Sequence, residues 1–95
     1  MAVVGMIVHL GRASASAQAR ELADGLIADG HVVRAPHEDA ETAGLDSVEI
    51  CDGADFADGL DLVVALGGDG SMLRAIELVG SGGTPIMGVD HGQLG

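Results

Sequence analysis

The chain has 95 residues, and 47% of them are hydrophobic, as expected of one small globular domain rather than a disordered segment. Fifteen acidic residues against four arginines give a net charge of −11, which excludes a basic surface for nucleic acid and a polybasic segment for anionic lipid. The single cysteine, Cys51, excludes a disulfide framework and a cysteine-based metal site.

The amino-terminal segment predicts a buried strand. Val3 to Leu10 is apolar except for Gly5 and His9, which suits a strand covered on both faces of a sheet. The apolar run from Met1 has no basic flank and is too short to span a bilayer, so we expect a cytoplasmic protein. We interpret His9, at the end of this strand, as a hydrogen-bonded histidine at the edge of the core.

A helix and a second strand should follow. Small and apolar residues recur at helical spacing from Ala15 to Ile27. Ser14 or Ser16 is suited to the N-cap, and Gly30 lies where a glycine would end the helix. His31 to Ala35 predicts a short strand.

The middle of the chain is acidic and lacks a clear period. Pro36 to Ser47 predicts a loop with one helical turn, in which Glu38, Asp39 and Glu41 form a solvated acidic surface rather than a metal site. Val48 to Cys51 predicts a short strand, and Asp52 to Gly59 an acidic loop or helical turn.

The last third returns to strong patterns. Leu62 to Leu66 predicts a buried strand, Ser71 to Val79 a helix, and Pro85 to Val89 a last strand. Because strands alternate with helical patterns, the sequence predicts an α/β domain over residues 1–95 with a Rossmann-like parallel sheet and flanking helices.

The turn between the fourth strand and its helix reads Gly67-Gly68-Asp69-Gly70. A strand, a glycine turn and a helix start present bare backbone N–H groups to a phosphate. The carboxylate of Asp69 would repel a phosphate, but it suits a hydrogen-bond acceptor for a hydroxyl that attacks phosphorus. The turn alone leaves open whether Asp69 has this role or caps the helix.

A second glycine-rich turn lies at the end of the chain, in Gly88 to Gly95. In a parallel sheet both turns should lie at the carboxyl edge of the strands, where ligands bind. We therefore expect the chain to be a fragment that lacks the part closing this crevice.

Two motifs together resemble the NAD kinase family, also called ATP-NAD kinases. They are LGGDGSMLRA at residues 66–75 and PIMGVDHGQLG at residues 85–95, and the opening residues 7–12 resemble the first strand and turn of actinobacterial-type members. GGDG is also found in diacylglycerol and sphingosine kinases. The second turn at this separation is more specific, and the lipid kinases do not share it.

The resemblance implies a two-domain enzyme that phosphorylates the adenosine 2′-hydroxyl of NAD to give NADP. ATP, or polyphosphate in some members, would be the donor, with a divalent metal such as Mg²⁺. This chain would be the N-terminal α/β domain, and a β-rich C-terminal domain would be missing. The partners implied are small nucleotides, the missing domain and further copies in a homo-oligomer.

The resemblance also assigns site residues. Asp69 matches the proton acceptor, Asp69 and Gly70 match an NAD-contacting pair, and Arg74 matches a further NAD contact. Without the resemblance, Arg74 would be interpreted as a surface arginine paired with Glu77. The remaining residues expected in the nucleotide-binding turn are Gly67, Gly68 and Ser71, and no residue is assigned to a metal.

Two positions depart from the family pattern. Ser71 stands in place of the usual Thr and keeps the hydroxyl. Asp90 stands in place of the usual Asn, so a charge replaces an amide beside a polyanionic ligand or recruits a cation.

Two alternatives to NAD kinase activity remain. One is a lipid kinase that uses the same GGDG turn. The other is a truncated or degenerate α/β module that binds a nucleotide without catalysis.

Overall fold

The computed structural model describes residues 1–9, 11, 13–80 and 82–89, with the backbone of residues 90, 93 and 94. Strands and helices alternate through most of this range. In chain order they are β1 (Val3–Val8), α1 (Ala13–Ala28), β2 (Val32–Ala35), α2 (His37–Ala43), β3 (Glu49–Ile50), α3 (Ala54–Ala57), β4 (Leu62–Leu66), α4 (Asp69–Val79), β5 (Ile86–Asp90) and β6 (Gln93–Leu94).

The six strands form one sheet in the order β3-β2-β1-β4-β5-β6. The first five are parallel, and β6 pairs antiparallel with β5. β1 lies in the middle, with Val3 opposite Val32 of β2 and Val8 opposite Leu66 of β4. The parallel α/β sheet predicted from the sequence is confirmed.

Helices cover both faces of the sheet. On one face, α1 and α2 pack against alternate residues of β1, including Met6 and Val8. On the other face, α3 and α4 pack against Ile7 of β1 and against Val63 and Ala65 of β4. Because both faces are buried, the central strands are apolar throughout. No helix in the described ranges is long and apolar enough to cross a membrane.

The acidic segment, which we define as Pro36–Gly59, is more buried than the sequence predicted, and α2 is longer than the one helical turn expected there. β3 lies within the predicted strand and α3 within the predicted loop or helical turn, and α2 ends at Gly44 in the left-handed conformation with φ +71°. Glu38 and Glu41 are exposed as predicted, but Asp39 is 0% exposed. The prediction of a solvated acidic loop is therefore wrong for Asp39, because distant residues supply hydrogen-bond partners for its carboxylate.

Phe56 of α3, the only aromatic residue, is also 0% exposed. It packs against the backbone of Gly5, where a Cβ atom would lie 2.7 Å from its Cζ. Arg34 of β2 lies beneath α3 and donates a hydrogen bond of 3.1 Å to the carbonyl oxygen of Phe56. The short helix is thus fixed to the sheet by packing and by a cation that binds its carbonyl groups.

Two predicted helix starts were wrong. α1 already includes Ala13, so Ser14 and Ser16 lie inside it and neither is its N-cap. α4 begins at Asp69 rather than Ser71, because glycine conformations at 67 and 68 let the chain turn straight into the helix. Gly30, with φ +90°, lies in the turn that ends α1, as predicted.

Candidate functional site

The sheet order places a ligand crevice between the carboxyl ends of β1 and β4. From β1 the chain runs through α1 to β2 on one side, whereas β4 lies on the other side and leads into α4. Connections that diverge in this way leave a gap above the strand ends, and open α/β sheets bind ligands there. His9 follows β1 and Gly67 follows β4, so the two turns meet at this crevice.

The β4–α4 turn, Gly67–Gly70, depends on glycine at its first two positions. Gly67 has φ +112° and Gly68 has φ +110°, a region that other residues rarely adopt. A Cβ atom on Gly67 would also lie 2.3 Å from the Cβ of His9. The Gly67 N–H donates to the carbonyl oxygen of Val89 at 2.9 Å. The turn is therefore packed tightly between the ends of β1 and β5.

Asp69 and Gly70 open α4 and face outward. The N-cap is Gly68, so Asp69 is the first helical residue rather than the capping one, and its side chain is exposed. A Cβ atom on Gly70 would meet nothing within 4 Å. The first N–H groups of a helix lack intrahelical partners and lie at the positive end of its dipole. This surface therefore suits an anion or polar ligand with Asp69 beside it.

Ser71 is turned inward. Ser71 is 1% exposed, and its hydroxyl donates to the carbonyl oxygen of Leu66 at 2.9 Å. The hydroxyl therefore stabilises the turn from β4 into α4. The group through which Ser71 could bind a ligand is its backbone N–H, at the start of the helix.

Arg74, one turn into α4, is held by the buried Asp39 of α2. Its Nη2 donates to Asp39 Oδ1 at 2.6 Å and its Nη1 to Oδ2 at 3.1 Å. The pairing with Glu77 that the residues alone suggested is not found among these contacts. The pair joins α2 on one face of the sheet to α4 on the other.

The same pair completes the edge of β1 beyond the end of β2. The Val8 N–H donates to Asp39 Oδ2 at 2.8 Å, and Arg74 Nη1 donates to the Val8 carbonyl oxygen at 3.2 Å. β2 ends at Ala35, so a carboxylate and a guanidinium take the place of the next strand residues as hydrogen-bond partners. Buried backbone groups require such partners, which explains why Asp39 lies inside the protein.

The charge state of Arg74 follows from this geometry. The hydrogen bonds with the Asp39 carboxylate raise the pKa of Arg74 above its ordinary value, although burial acts in the opposite direction. The Arg74 side chain is 37% exposed, whereas that of Asp39 is fully buried. Arg74 is therefore a cation whose charge is balanced by the buried Asp39 carboxylate. Part of its side chain still reaches the surface.

A small cleft at the crevice, here named the Arg74 cleft, brings together three of the predicted site residues, Gly70, Ser71 and Arg74. It is lined by His9, Gly11, Gly70, Ser71 and Arg74. The Gly11 N–H donates to His9 Nδ1 at 3.2 Å, so the histidine is hydrogen-bonded as predicted. Asp69 precedes Gly70 in the chain but does not line the cleft, and Gly67 packs against His9.

A metal cluster was not predicted from the sequence, and part of the second predicted motif lies outside the described residues. Among the described residues, no group of three acidic, histidine or cysteine side chains could hold a metal ion. In the second glycine-rich turn, residues 91, 92 and 95 lie outside the described residues, and so does the side chain of Asp90. The described backbone there places Val89 opposite Leu94 in an antiparallel pair.

Comparison with known proteins gives the family. Residues 4–95 match the family described as the ATP-NAD kinase N-terminal domain. The chain is 38% identical to NAD kinase of Thermobifida fusca over 95% of its own length and 29% of the relative's. It is 36% identical to NAD kinase 2 of Streptomyces avermitilis, over 97% of this chain and 32% of the relative.

The same similarity extends to Mycobacterium tuberculosis, whose NAD kinase is 36% identical over 95% of this chain and 34% of that protein. The chain thus spans about a third of the length of these curated relatives. Because the match covers nearly the whole chain and agrees with the observed fold, this chain belongs to the ATP-NAD kinase family.

Proposed function

We propose that this chain supplies the hydroxyl-activating part of an NAD kinase, which transfers a phosphoryl group from ATP to the adenosine 2′-hydroxyl of NAD. The observation that supports this most strongly is the position of Asp69. It is an exposed carboxylate on the first residue of α4, beside the bare backbone at Gly70. The family membership of the chain supports the identity of the two nucleotides.

In this proposal, the Asp69 carboxylate accepts the hydrogen bond of the 2′-hydroxyl and takes its proton as the oxygen attacks the γ-phosphorus of ATP. The bond from that phosphorus to the β–γ bridging oxygen breaks, and ADP leaves. Phosphoryl transfer has a loose transition state, so much of the benefit comes from orienting the hydroxyl oxygen in line with the leaving group. Asp69 is suited to this because the rigid β4–α4 turn fixes its backbone.

The other residues of the turn bind and orient the nucleotide. Gly70 lets the ligand approach the first turn of α4, since no neighbouring atom occupies the space beside its Cα. Arg74 supplies a hydrogen-bond donor one helical turn further on. Gly67, Gly68 and Ser71 act through the backbone, because two are glycines and the hydroxyl of the third is bonded to Leu66.

Two further elements of the proposal come from the family. Mg²⁺ would accompany ATP, and we assign it no ligand among the described side chains because they offer no suitable cluster. The complete enzyme would include a second domain and form a homo-oligomer, which sedimentation of that enzyme would test.

The test is a chimera in which this chain replaces the matching segment of Thermobifida fusca NAD kinase. NADP formation is measured with ATP and, in parallel, with polyphosphate. We expect turnover that falls at least 100-fold in Asp69→Asn, the lower range for loss of a general base. Asp29→Asn is the matched control, since Asp29 is exposed after α1, at the opposite edge of the sheet.

Either of two results would contradict the proposal. Asp69→Asn could retain the rate of the parent chimera, which would remove Asp69 from the reaction. A folded chimera could bind NAD without turnover, which would favour a nucleotide-binding module without catalysis.

A further inference from the structure

Arg74 uses some of its hydrogen-bond donors on the protein interior and keeps others unused. A guanidinium has five N–H donors. Both terminal nitrogens of Arg74 donate inward, to the two Asp39 oxygens and to the Val8 carbonyl oxygen. Within the described ranges, Nε donates no hydrogen bond. Two N–H donors remain, one on Nε and one on Nη2, and 37% of the side chain is exposed. Arg74 lines the Arg74 cleft and also a second cavity that it forms with Pro36, Asp52 and Glu77.

Asp39 also changes which ligand Arg74 prefers. A guanidinium without a counter-charge attracts phosphate strongly, because the charge and the donor geometry both favour it. Here a fully buried carboxylate binds the guanidinium through both oxygens, so the pair is neutral as a unit. A neutral pair still offers directed N–H donors, and these suit an uncharged oxygen such as a sugar hydroxyl.

We propose that Asp39 is a positioning and specificity-determining residue, which directs the free edge of Arg74 into the cleft and cancels its charge so that a ribose hydroxyl is preferred to a phosphate. The identity of the ligand as a dinucleotide rests on the proposed function; the effect of Asp39 on Arg74 does not. NAD and NADP differ by a hydroxyl against a phosphate on the adenosine ribose. The neutral pair therefore favours substrate over product.

The experiment compares three ligands on the full chain: inorganic phosphate, NAD and NADP. Binding is followed by NMR through the Arg74 Nε–H and Gly70 amide resonances. Asp39→Asn keeps the shape of the side chain and one acceptor oxygen for the Val8 N–H, removes the charge, and puts an amide NH2 donor opposite Arg74 Nη2 in place of an acceptor. We expect phosphate and NADP to bind about tenfold more tightly to this variant, and NAD to gain nothing or weaken.

Asp61→Asn is the matched control. Asp61 Oδ2 accepts the Val3 N–H at 2.8 Å, the same kind of bond that Asp39 makes at the other end of β1, and its charge is equal. Asp61 lies at the amino edge of the sheet, away from the Arg74 cleft. We expect this variant to bind all three ligands as the parent chain does.

Equal phosphate binding by Asp39→Asn, Asp61→Asn and the parent chain would overturn the inference. If Asp39→Asn does not fold, the test uses the parent chain alone. Its Arg74 Nε–H resonance should then shift when NAD is added and stay unchanged when phosphate is added. A shift with phosphate would overturn the inference. Failure of the parent chain to bind NAD, with the phosphate gain present, would count against the proposed function and leave the role of Asp39 standing.

Discussion

Two aspartates in two regions of the molecule differ in how well the sequence predicts their environment. Asp69 lies in the β4–α4 turn, where glycines and a following helix mark it out, and its side chain is exposed. Asp39 lies in the acidic segment, among other acidic residues, and is fully buried. The residue with the strongest sequence signal therefore contributes little to the fold, whereas the one that resembles a solvated surface charge holds two layers together.

The difference arises from the range of the interactions. The β4–α4 turn is determined by residues next to each other, because positive φ angles and a helix start are local properties. Asp39 is buried because Arg74, 35 residues later, and the open edge of β1 give it partners. Substitutions in the two regions should therefore separate stability from ligand binding, and the following predictions test this from the largest effect to the smallest.

Phe56→Ala should cause the largest loss of stability. Phe56 of α3 is fully buried against the backbone of Gly5, and truncating such a side chain costs about 3–5 kcal/mol. Chemical denaturation measured by circular dichroism gives the unfolding free energy. Phe56→Leu, which keeps most of the volume, is the control and should cost much less. A loss below about 1 kcal/mol for Phe56→Ala would show that the packing of Phe56 against the sheet carries little energetic weight.

Gly67→Ala tests the β4–α4 turn and should cost about 3 kcal/mol. The new Cβ would contact the Cβ of His9 at a φ of +112°, so crowding and backbone strain add. Gly30→Ala is a useful comparison, because Gly30 also has a positive φ but no atom within 4 Å of its Cβ position. Equal losses in the two variants would show that the contact with His9 has no energetic weight.

Asp39→Ala should destabilise the chain by about 2–3 kcal/mol, because it leaves the Val8 N–H without its acceptor and Arg74 without its counter-charge. This is less than for a fully buried ion pair, since solvent reaches part of Arg74. Asp69→Ala, measured in the same way, should stay within about 0.5 kcal/mol, because Asp69 is exposed. If the two variants were equally stable, the contrast between the two aspartates would fail.

Gly70→Ala should not destabilise the chain and should stabilise it by at most about 1 kcal/mol, because alanine is favoured over glycine in a helix, the space beside Gly70 is open and its φ is ordinary. NAD binding should weaken about tenfold or more, since the methyl group occupies the surface that the ligand approaches. Calorimetric titration with NAD measures this. Unchanged affinity would exclude Gly70 from the binding surface.

The sequence predicted most of the fold because most elements depend on local patterns. β4 was predicted at Leu62–Leu66, where an apolar run ends at glycines, and this is where it lies. Between Pro36 and Ser47 the sequence predicted a loop with one helical turn, whereas α2 spans His37–Ala43, because the segment contains few apolar residues and only three residues of the helix are buried. Element order was thus easier to predict than the burial of an acidic helix.

In the candidate site, too, features that depend on neighbouring residues were easier to predict than features that depend on distant ones. The exposure of Asp69 and the two positive φ angles follow from the glycines around them. The inward-facing hydroxyl of Ser71 and the pairing of Arg74 with Asp39 do not, because both depend on atoms that the fold brings close. Motif matching identifies the residues of such a site, and tertiary contacts decide which atoms of those residues face a ligand.

The central position of β1 has a consequence for how the chain folds. One neighbour, β2, follows after a single helix, but the other, β4, becomes available only after the acidic segment, with Val4 opposite Leu62. Pairing over such a separation is slow, because a long loop must close before the contacts form. Until then, an apolar strand has an open edge. The folding rate, and the tendency to aggregate while folding, should therefore depend on residues 36–61 more than on the functional turn.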